Sequence, residues 1–171
     1  MTDQSLFEIA PLDRDRHDRA AFVCGKEVLD RYLQQQASQD VKRLAAAVFI
    51  ATRRGESPVV GYYTLSQASV QLDALSPPQQ KRRARFGEVS ITLLGRLAVH
   101  AEVHGSGLGT VLLGDACRRA AAIADEVAAV GMLVDAIDDD AGRFYEKFGF
   151  TAFPESPRRL FLPMKTIQNY P

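Results

Sequence analysis

The 171-residue sequence predicts one domain of the mixed α/β class. Three observations predict it. Segments rich in β-branched and aromatic residues interchange with segments whose apolar residues recur at helical spacing, the pattern of a sheet covered by helices. Hydrophobic content of 46% and charged content of 25% are those of an ordinary globular chain. The length suffices for one core, and no internal repeat or low-complexity linker divides it.

Taken in order, Leu6 to Ala10 alternates weakly as a first strand, which Pro11 ends. A polar stretch runs to Arg19, and Cys24-Gly25 breaks the chain before a helix. From Lys26 onward Val28, Leu29, Tyr32 and Leu33 form one apolar stripe. Gln34 to Arg43 continues as helix or as a second short one. Ala46 to Thr52 is an apolar strand that ends at the turn Arg53-Arg54-Gly55-Glu56. With Pro58 to Leu65 it makes an antiparallel hairpin. Leu72 to Gly87, with Pro77-Pro78 and four basic residues, is a loop with one helical turn at most.

Ser90 to His100 holds the next strand, followed by a glycine loop from His104 to Gly109. A helix from about Thr110 to Asp125 buries Val111, Leu112, Ala116 and Ile123. Gly131 to Ala136 is a short buried strand. Asp138 to Phe148 is a helix that Gly149 stops. Phe150 to Phe153 and Leu160 to Met164 are the last strands.

Several function classes are excluded early. The two cysteines, Cys24 and Cys117, have no metal-ligand or disulfide spacing and read as buried small residues, so no metal site is expected. The first residues lack the basic and apolar regions of a signal peptide. No run of about 18 apolar residues exists to span a membrane. A cytoplasmic protein follows as the expectation. Net charge is zero, yet basic residues gather locally, at Lys42-Arg43, Arg53-Arg54, Lys81 to Arg85, Arg118-Arg119 and Arg158-Arg159.

The loop His104-Gly105-Ser106-Gly107-Leu108-Gly109 lies between a strand and a helix. Its glycines let a ligand approach the backbone. The amides at the start of the following helix lack internal partners and favour an anion such as a pyrophosphate. A P-loop would need Gly-Lys-Ser/Thr, which is absent. A dinucleotide fold would need an acidic residue at the end of the next strand, and Asp125-Glu126 and Asp135 stand poorly for it. A tight turn without ligand is equally consistent with the loop alone. Tyr145, near the end of a helix, is protonated at neutral pH, with an ordinary pKa of about 10. It suits a general acid, or a packing tyrosine whose hydroxyl is satisfied internally.

The run Arg96-Leu97-Ala98-Val99 before the loop, the loop itself, and Phe144-Tyr145-Glu146-Lys147-Phe148-Gly149-Phe150 after it resemble the GNAT superfamily of acetyltransferases. Gly107 and Gly109 match the superfamily's loop glycines, and His104 stands where Gln or Arg is usual. The resemblance implies a mixed, mostly antiparallel central sheet flanked by helices, in a single domain over residues 1–171. It implies acetyl-CoA as the cofactor. Leu97, Ala98 and Val99 would pair their main chain with pantetheine. His104, Gly105, Ser106, Gly107, Leu108, Gly109 and Thr110 would line the pyrophosphate. Asp138, in the place of a common asparagine, would contact the cofactor, and Tyr145 would protonate the departing thiolate. The transfer would be direct, with a main-chain N–H near Leu97 to Val99 facing the developing oxyanion.

Phe22-Val23-Cys24-Gly25, Leu29-Asp30-Arg31-Tyr32-Leu33, Gln36 to Asp40, Val60 to Leu65, Gly95 to Val99 and Val134-Asp135-Ala136 resemble, in that order, the TacT-type acetyltransferase toxins. This resemblance implies acetylation of the α-amino group of an amino acid esterified to tRNA, which blocks translation. It also implies a ribbon-helix-helix antitoxin as partner and a homodimer. An α-amino group titrates near 7.7–8.0, so much of it is neutral without a strong base. tRNA needs basic contacts, for which Lys81, Arg82, Arg83, Arg85 and Arg96, then Lys42 and Arg43, are the candidates. The competing expectations are a housekeeping acetyltransferase acting on a small amine or protein N-terminus, and an acyl-CoA-binding module without turnover.

Overall fold

The computed structural model describes residues 6–71 and 87–169. Seven strands form one sheet in the order β1-β2-β3-β4-β5-β7-β6. The strands are β1 (Phe7–Pro11), β2 (Ala47–Arg53), β3 (Val59–Gln71), β4 (Glu88–Val99), β5 (Gly131–Asp135), β6 (Thr151–Phe153) and β7 (Ser156–Pro163). The helices are α1 (Glu27–Arg31), α2 (Ala37–Lys42), α3 (Leu108–Glu126), α4 (Asp139–Lys147) and α5 (Met164–Gln168), with a π turn at Tyr32–Gln36 between α1 and α2. Pairing is antiparallel for β1–β2, β2–β3, β5–β7 and β6–β7, and parallel for β4–β5. The mixed, mostly antiparallel sheet with helices expected from the sequence is what the chain forms.

The backbone divides into two compact units, Met1–Ser66 with Gly95–Ala116, and Gln67–Leu94 with Cys117–Pro171. Strands β3 and β4 and helix α3 each pass from one unit into the other.

In the first unit, β1 pairs with β2 from Phe7↔Arg53 to Pro11↔Phe49. Pro11 is thus the strand's last paired residue, a position that tolerates proline because the edge needs no donor there. The core gathers Phe22, Cys24, Tyr32, Leu33, Ala37, Val48, Ile50, Val59, Tyr62 and Ala98. The stretch 27–42 is helical throughout, but the π turn replaces one α step: the Ala37 N–H reaches the Tyr32 carbonyl, five residues back. Leu33's carbonyl accepts Arg19 Nη1 at 3.1 Å, and the same nitrogen donates to Ser38 Oγ at 2.7 Å. The buried stripe runs through Tyr32, Leu33 and Ala37, which leaves Val28 on the outer side, 70% exposed against the sequence expectation. α2 ends on Leu44 at φ +60, with Leu44 N–H on the Val41 carbonyl and Ala45 N–H on the Asp40 carbonyl.

In the second unit Val89, Ile91, Leu133 and Phe161 form the cluster on which Ala68, Val70, Leu93, Val130 and Phe153 pack. β5 is buried from Gly131 through Val134. β3 runs six residues past the expected end at Leu65, and there burial alternates as it should for a strand with one wet face. α3, which starts in the first unit and enters the second at Cys117, buries Leu108, Leu112, Leu113, Ala116, Cys117 and Ala120. From Ala120 the stripe continues to Ala124, half-buried, so Ile123 falls off it and is 38% exposed, a correction to the expected face. Met164, expected to end the last strand, opens α5 instead, directly after Pro163 at the N-cap.

Candidate active site

The first unit carries the expected cofactor elements. β5 pairs with β4 only at Thr92, Leu93 and Leu94. Beyond Leu94, the His100 N–H donates to the Val60 carbonyl at 2.8 Å, and the Ala98 carbonyl faces Gly61, so Ala98 addresses β3. In an antiparallel strand the N–H and C=O of one residue point the same way and alternate along the chain. Leu97 and Val99 therefore turn their main-chain groups away from β3. His104 Nε2 lies 2.7 Å from the Val99 carbonyl. A carbonyl only accepts, so Nε2 carries the proton. The Leu97 N–H and C=O and the Val99 N–H remain as a short strand edge that an extended amide chain can join.

The loop after β4 passes through a 3₁₀ turn, Ala101–Val103, and reverses at Gly105 and Gly107, at φ +81 and +85. Side chains rarely adopt that conformation, so glycine is required there. The first intrahelical bond of α3 is from Val111 N–H to the Gly107 carbonyl, 3.2 Å. Leu108 N–H turns to Ser106 Oγ at 3.3 Å. Gly109 and Thr110 precede any intrahelical acceptor, so their amides sit at the positive end of a 19-residue helix. Gly61 seats that end: a Cβ there would lie 3.0 Å from Leu112 Cδ1 and 3.2 Å from Leu108 Cδ2. His104 thus braces the loop against the strand.

The same unit holds an aromatic column beside Arg96. The Arg96 guanidinium carbon lies 3.6 Å from the Tyr32 ring centroid. Tyr32 stacks on Tyr62 at 6.2 Å, and Phe22 meets Tyr62 edge-on at 5.6 Å. The Tyr32 hydroxyl donates to Asp40 Oδ2 at 2.8 Å and the Tyr62 hydroxyl to the Leu29 carbonyl at 2.6 Å. Burial raises the pKa of both phenols. Lys42 and Arg43 are exposed at the end of α2. Lys81, Arg82, Arg83 and Arg85 lie outside the described residues.

The second unit carries α4 with Asp138 and Tyr145. Asp138 is the N-cap, extended at φ −155, and its Oδ1 accepts the Ala141 N–H at 2.9 Å. Asp139 and Asp140 in the first turn and Lys147 in the last suit the helix dipole. At the other end the Gly149 N–H reaches the Glu146 carbonyl and the Phe150 N–H the Tyr145 carbonyl, with Gly149 at φ +96. This is a Schellman closure, and its apolar contact is Tyr145 against Phe150, 5.5 Å between centroids. Tyr145 is 5% exposed. Among the described residues nothing hydrogen-bonds its hydroxyl, and no buried side-chain polar atom is left unsatisfied. Burial raises its pKa, so the phenol keeps its proton.

Asp138 as a cap makes a clean prediction. Asp138→Ala should lower unfolding free energy by about 1 kcal/mol, whereas Asp138→Asn, itself a good cap, should leave it nearly unchanged. Urea unfolding reads the difference. Equal losses in both variants would show that the carboxylate charge, and not the cap, is what the helix uses.

Cys24 and Cys117 are buried, with thiols pushed up to about 11 by burial, which fits inert packing residues. Among the described residues no cluster can hold a metal, and no helix is long and apolar enough to cross a membrane. The sequence did not single out His104 as a brace, the π turn, or the Tyr32–Asp40 bond. Each depends on groups brought together in space, and only Tyr32's place in the apolar stripe was visible.

Comparison with known proteins shows the family. The model of the acetyltransferase (GNAT) domain matches residues 45–152. The chain is 30% identical over 168 residues to the probable toxin TacT of Sinorhizobium fredii, covering 94% of this chain and 93% of that one. It is 38% identical over 152 residues to a tRNA-acetylating toxin of Mycobacterium tuberculosis, covering 88% and 89%. Among solved structures, a tyrosine-to-phenylalanine mutant of KacT superposes with a TM-score of 0.90 at 26% identity, over 95% of this chain and 98% of that one. AtaT complexed with acetyl-methionyl-tRNAfMet gives 0.87 at 27%, over 95% and 97%. A mutant AtaT bound to the C-terminus of the antitoxin AtaR and acetyl-CoA gives 0.82 at 27%, over 95% and 96%. With more than half of its length matched by the family model and a relative at 38% identity along most of the rest, the chain belongs to the GNAT acetyltransferase family.

Proposed function

We propose that this chain is a toxin acetyltransferase, one domain that moves an acetyl group from acetyl-CoA to the α-amino group of an amino acid esterified to tRNA and so blocks translation. The observation that carries the proposal is the extent of the likeness. It takes in the helical stretch 27–42 as well as the cofactor loop, in a relative named for acetylating tRNA and in a structure complexed with acetyl-methionyl-tRNAfMet.

Bound acetyl-CoA supplies an activated acyl group as a thioester. The residues fit such a ligand: a strand edge at Leu97 and Val99 for an amide chain, then a glycine loop, His104 to Gly109, and the α3 amides for a pyrophosphate. Ser106, Leu108 and Thr110 belong to this loop and first turn. A main-chain N–H of Leu97 or Val99 faces charge developing on the thioester oxygen. Tyr145 gives its hydroxyl proton to the leaving sulfur, and the amine that has attacked loses one proton to solvent. Asp138 serves as the cap that fixes α4, and with it Tyr145. Lys42, Arg43, Arg96 and the Lys81, Arg82, Arg83 and Arg85 cluster contact tRNA phosphates. A substrate of that kind puts the protein in the cytoplasm. The partner that silences it is a ribbon-helix-helix antitoxin, and the active assembly is a homodimer.

A cell-free translation reaction tests the activity. Protein plus acetyl-CoA should stop synthesis, and protein alone or with coenzyme A should not. Synthesis that continues with acetyl-CoA present contradicts the proposal.

A further inference from the structure

Arg96 is half-buried on β4, and among the described residues it has no ion pair and no hydrogen bond. What it has is a flat seat, 3.6 Å above the Tyr32 ring, close enough for the ring to attract the cation. A guanidinium carries five N–H donors and no acceptor, and withdrawing it from water without an anion is unfavourable. Asp40 accepts the Tyr32 hydroxyl through Oδ2, and among the described residues it makes no ion pair with Arg96. The Asp40 main chain is held as well, since its carbonyl accepts the Ala45 N–H at 2.9 Å.

The seat itself is rigid. The Tyr32 ring is tied at its tip to Asp40 and backed by Tyr62 at an interplanar angle of 18°. Tyr62 is anchored in turn by its bond to the Leu29 carbonyl, and Tyr32 opens the π turn. Side chains alternate along a strand, so Arg96 shares a face of β4 with Ala98, which belongs to the cluster of Tyr32, Leu33 and Tyr62. A guanidinium fixed in plane with its fork unclaimed matches the two oxygens of a phosphate.

We propose that Tyr32 is a positioning residue, a platform that holds Arg96 so that its guanidinium takes an internucleotide phosphate next to the aminoacylated end of tRNA. This rests on the aminoacyl-tRNA reading above. Given that reading, chemistry chooses the anion. The amino acid's carboxyl is esterified and uncharged, so the anions at that end of the substrate are the phosphodiesters. The Tyr32–Asp40 bond belongs to the platform, not to proton transfer.

The test is steady-state acetylation of a charged tRNA at several salt concentrations by wild type, Arg96→Ala, Arg96→Lys, Tyr32→Phe and Tyr32→Leu. Arg96→Ala should raise KM by about tenfold or more, the loss of a charged hydrogen bond, and leave kcat nearly unchanged. Its plot of log(kcat/KM) against log[salt] should flatten by about 0.7, one single-strand phosphate. Tyr32→Leu should reproduce both changes, and Tyr32→Phe, which keeps the ring, should fall between it and wild type. Arg96→Lys should recover the salt slope and not the KM, because a point charge lacks the fork.

A neutral methylphosphonate, placed singly at each of the last two linkages, should cost wild type the same factor at one of them and cost Arg96→Ala nothing more. Unchanged KM and slope in Arg96→Ala overturn the proposal, as does a Tyr32→Leu variant that loses kcat or thermal stability with its slope intact. If Tyr32→Leu does not fold, the Arg96 and methylphosphonate series decide. A wild type that acetylates free amines and never charged tRNA overturns the underlying reading, and this proposal with it.

Discussion

Tyr145→Phe should give a folded protein that still binds acetyl-CoA and turns over about 10²- to 10⁴-fold more slowly, the usual contribution of a general acid. The structure separates the two halves of this side chain. The ring packs on Phe144 at 5.2 Å and on Phe150 at 5.5 Å, inside the Schellman closure of α4, and phenylalanine preserves both contacts. Among the described residues the hydroxyl takes part in no hydrogen bond, so its removal leaves no orphan among them. Stability should therefore change little while kcat falls, a split that a packing tyrosine would not produce.

Burial raises the Tyr145 pKa, so the acid stays protonated on the alkaline side, where an ordinary tyrosine loses its proton near pH 10. Wild-type kcat, read on a hydrolysis-resistant amide analogue of the aminoacyl ester, should accordingly not decline through that pH. Unchanged kcat in Tyr145→Phe would assign the proton to another group.

Gly131→Ala should damage the fold more than Gly95→Ala does. A Cβ at Gly131 would lie 2.4 Å from the Leu162 carbonyl oxygen and 2.5 Å from Phe161 Cζ. Gly131 pairs with Pro163 in the β5–β7 ladder, and the strand is buried, so neither backbone has room to retreat. Overpacking of this kind costs about 1–3 kcal/mol, and a backbone atom in the way puts it at the upper end or beyond. Against a typical total of about 5–15 kcal/mol, that is a large share. Gly95→Ala is the control. Its Cβ would meet one side-chain atom, Thr64 Oγ1 at 2.8 Å, so it should cost less. Urea midpoints give the order, and a Gly95→Ala loss exceeding that of Gly131→Ala would contradict it.

What the sequence made legible was what local chemistry encodes. The β2–β3 hairpin follows from two apolar runs around Gly55, and the strand, glycine loop and helix of the cofactor site follow from residue type and spacing. Tyr145 and Gly149 were readable because a helix end and its stop lie side by side in the chain. Other features depend on partners far away in sequence. The second half of β3, Ser66 to Gln71, looks polar until one face is seen to be wet. The first half of β7, Ser156 to Arg159, is exposed, and Arg159 pairs with Asp135 across the ladder. The π turn has no signature in the stripe Tyr32-Leu33-Ala37, since an added residue shifts the register without changing its character. Asp138 carried a cap signal, an aspartate three residues before Ala141, and it caps α4 through the Ala141 N–H. His104 departed from the common loop pattern, and only its distance to the Val99 carbonyl explains what a histidine does there.

The acceptor amine is the centre of the account, and one measurement addresses it directly. A pool of charged tRNA is incubated with the protein and isotope-labelled acetyl-CoA, the aminoacyl esters are released by mild base, and the amino acids are analysed by mass spectrometry. Labelled acetyl is expected on the α-nitrogen of one or a few amino acids, dependent on intact charged tRNA and lost with Tyr145→Phe. Label that appears on free amino acids or polyamines equally well, or never on the released aminoacyl groups, would contradict it.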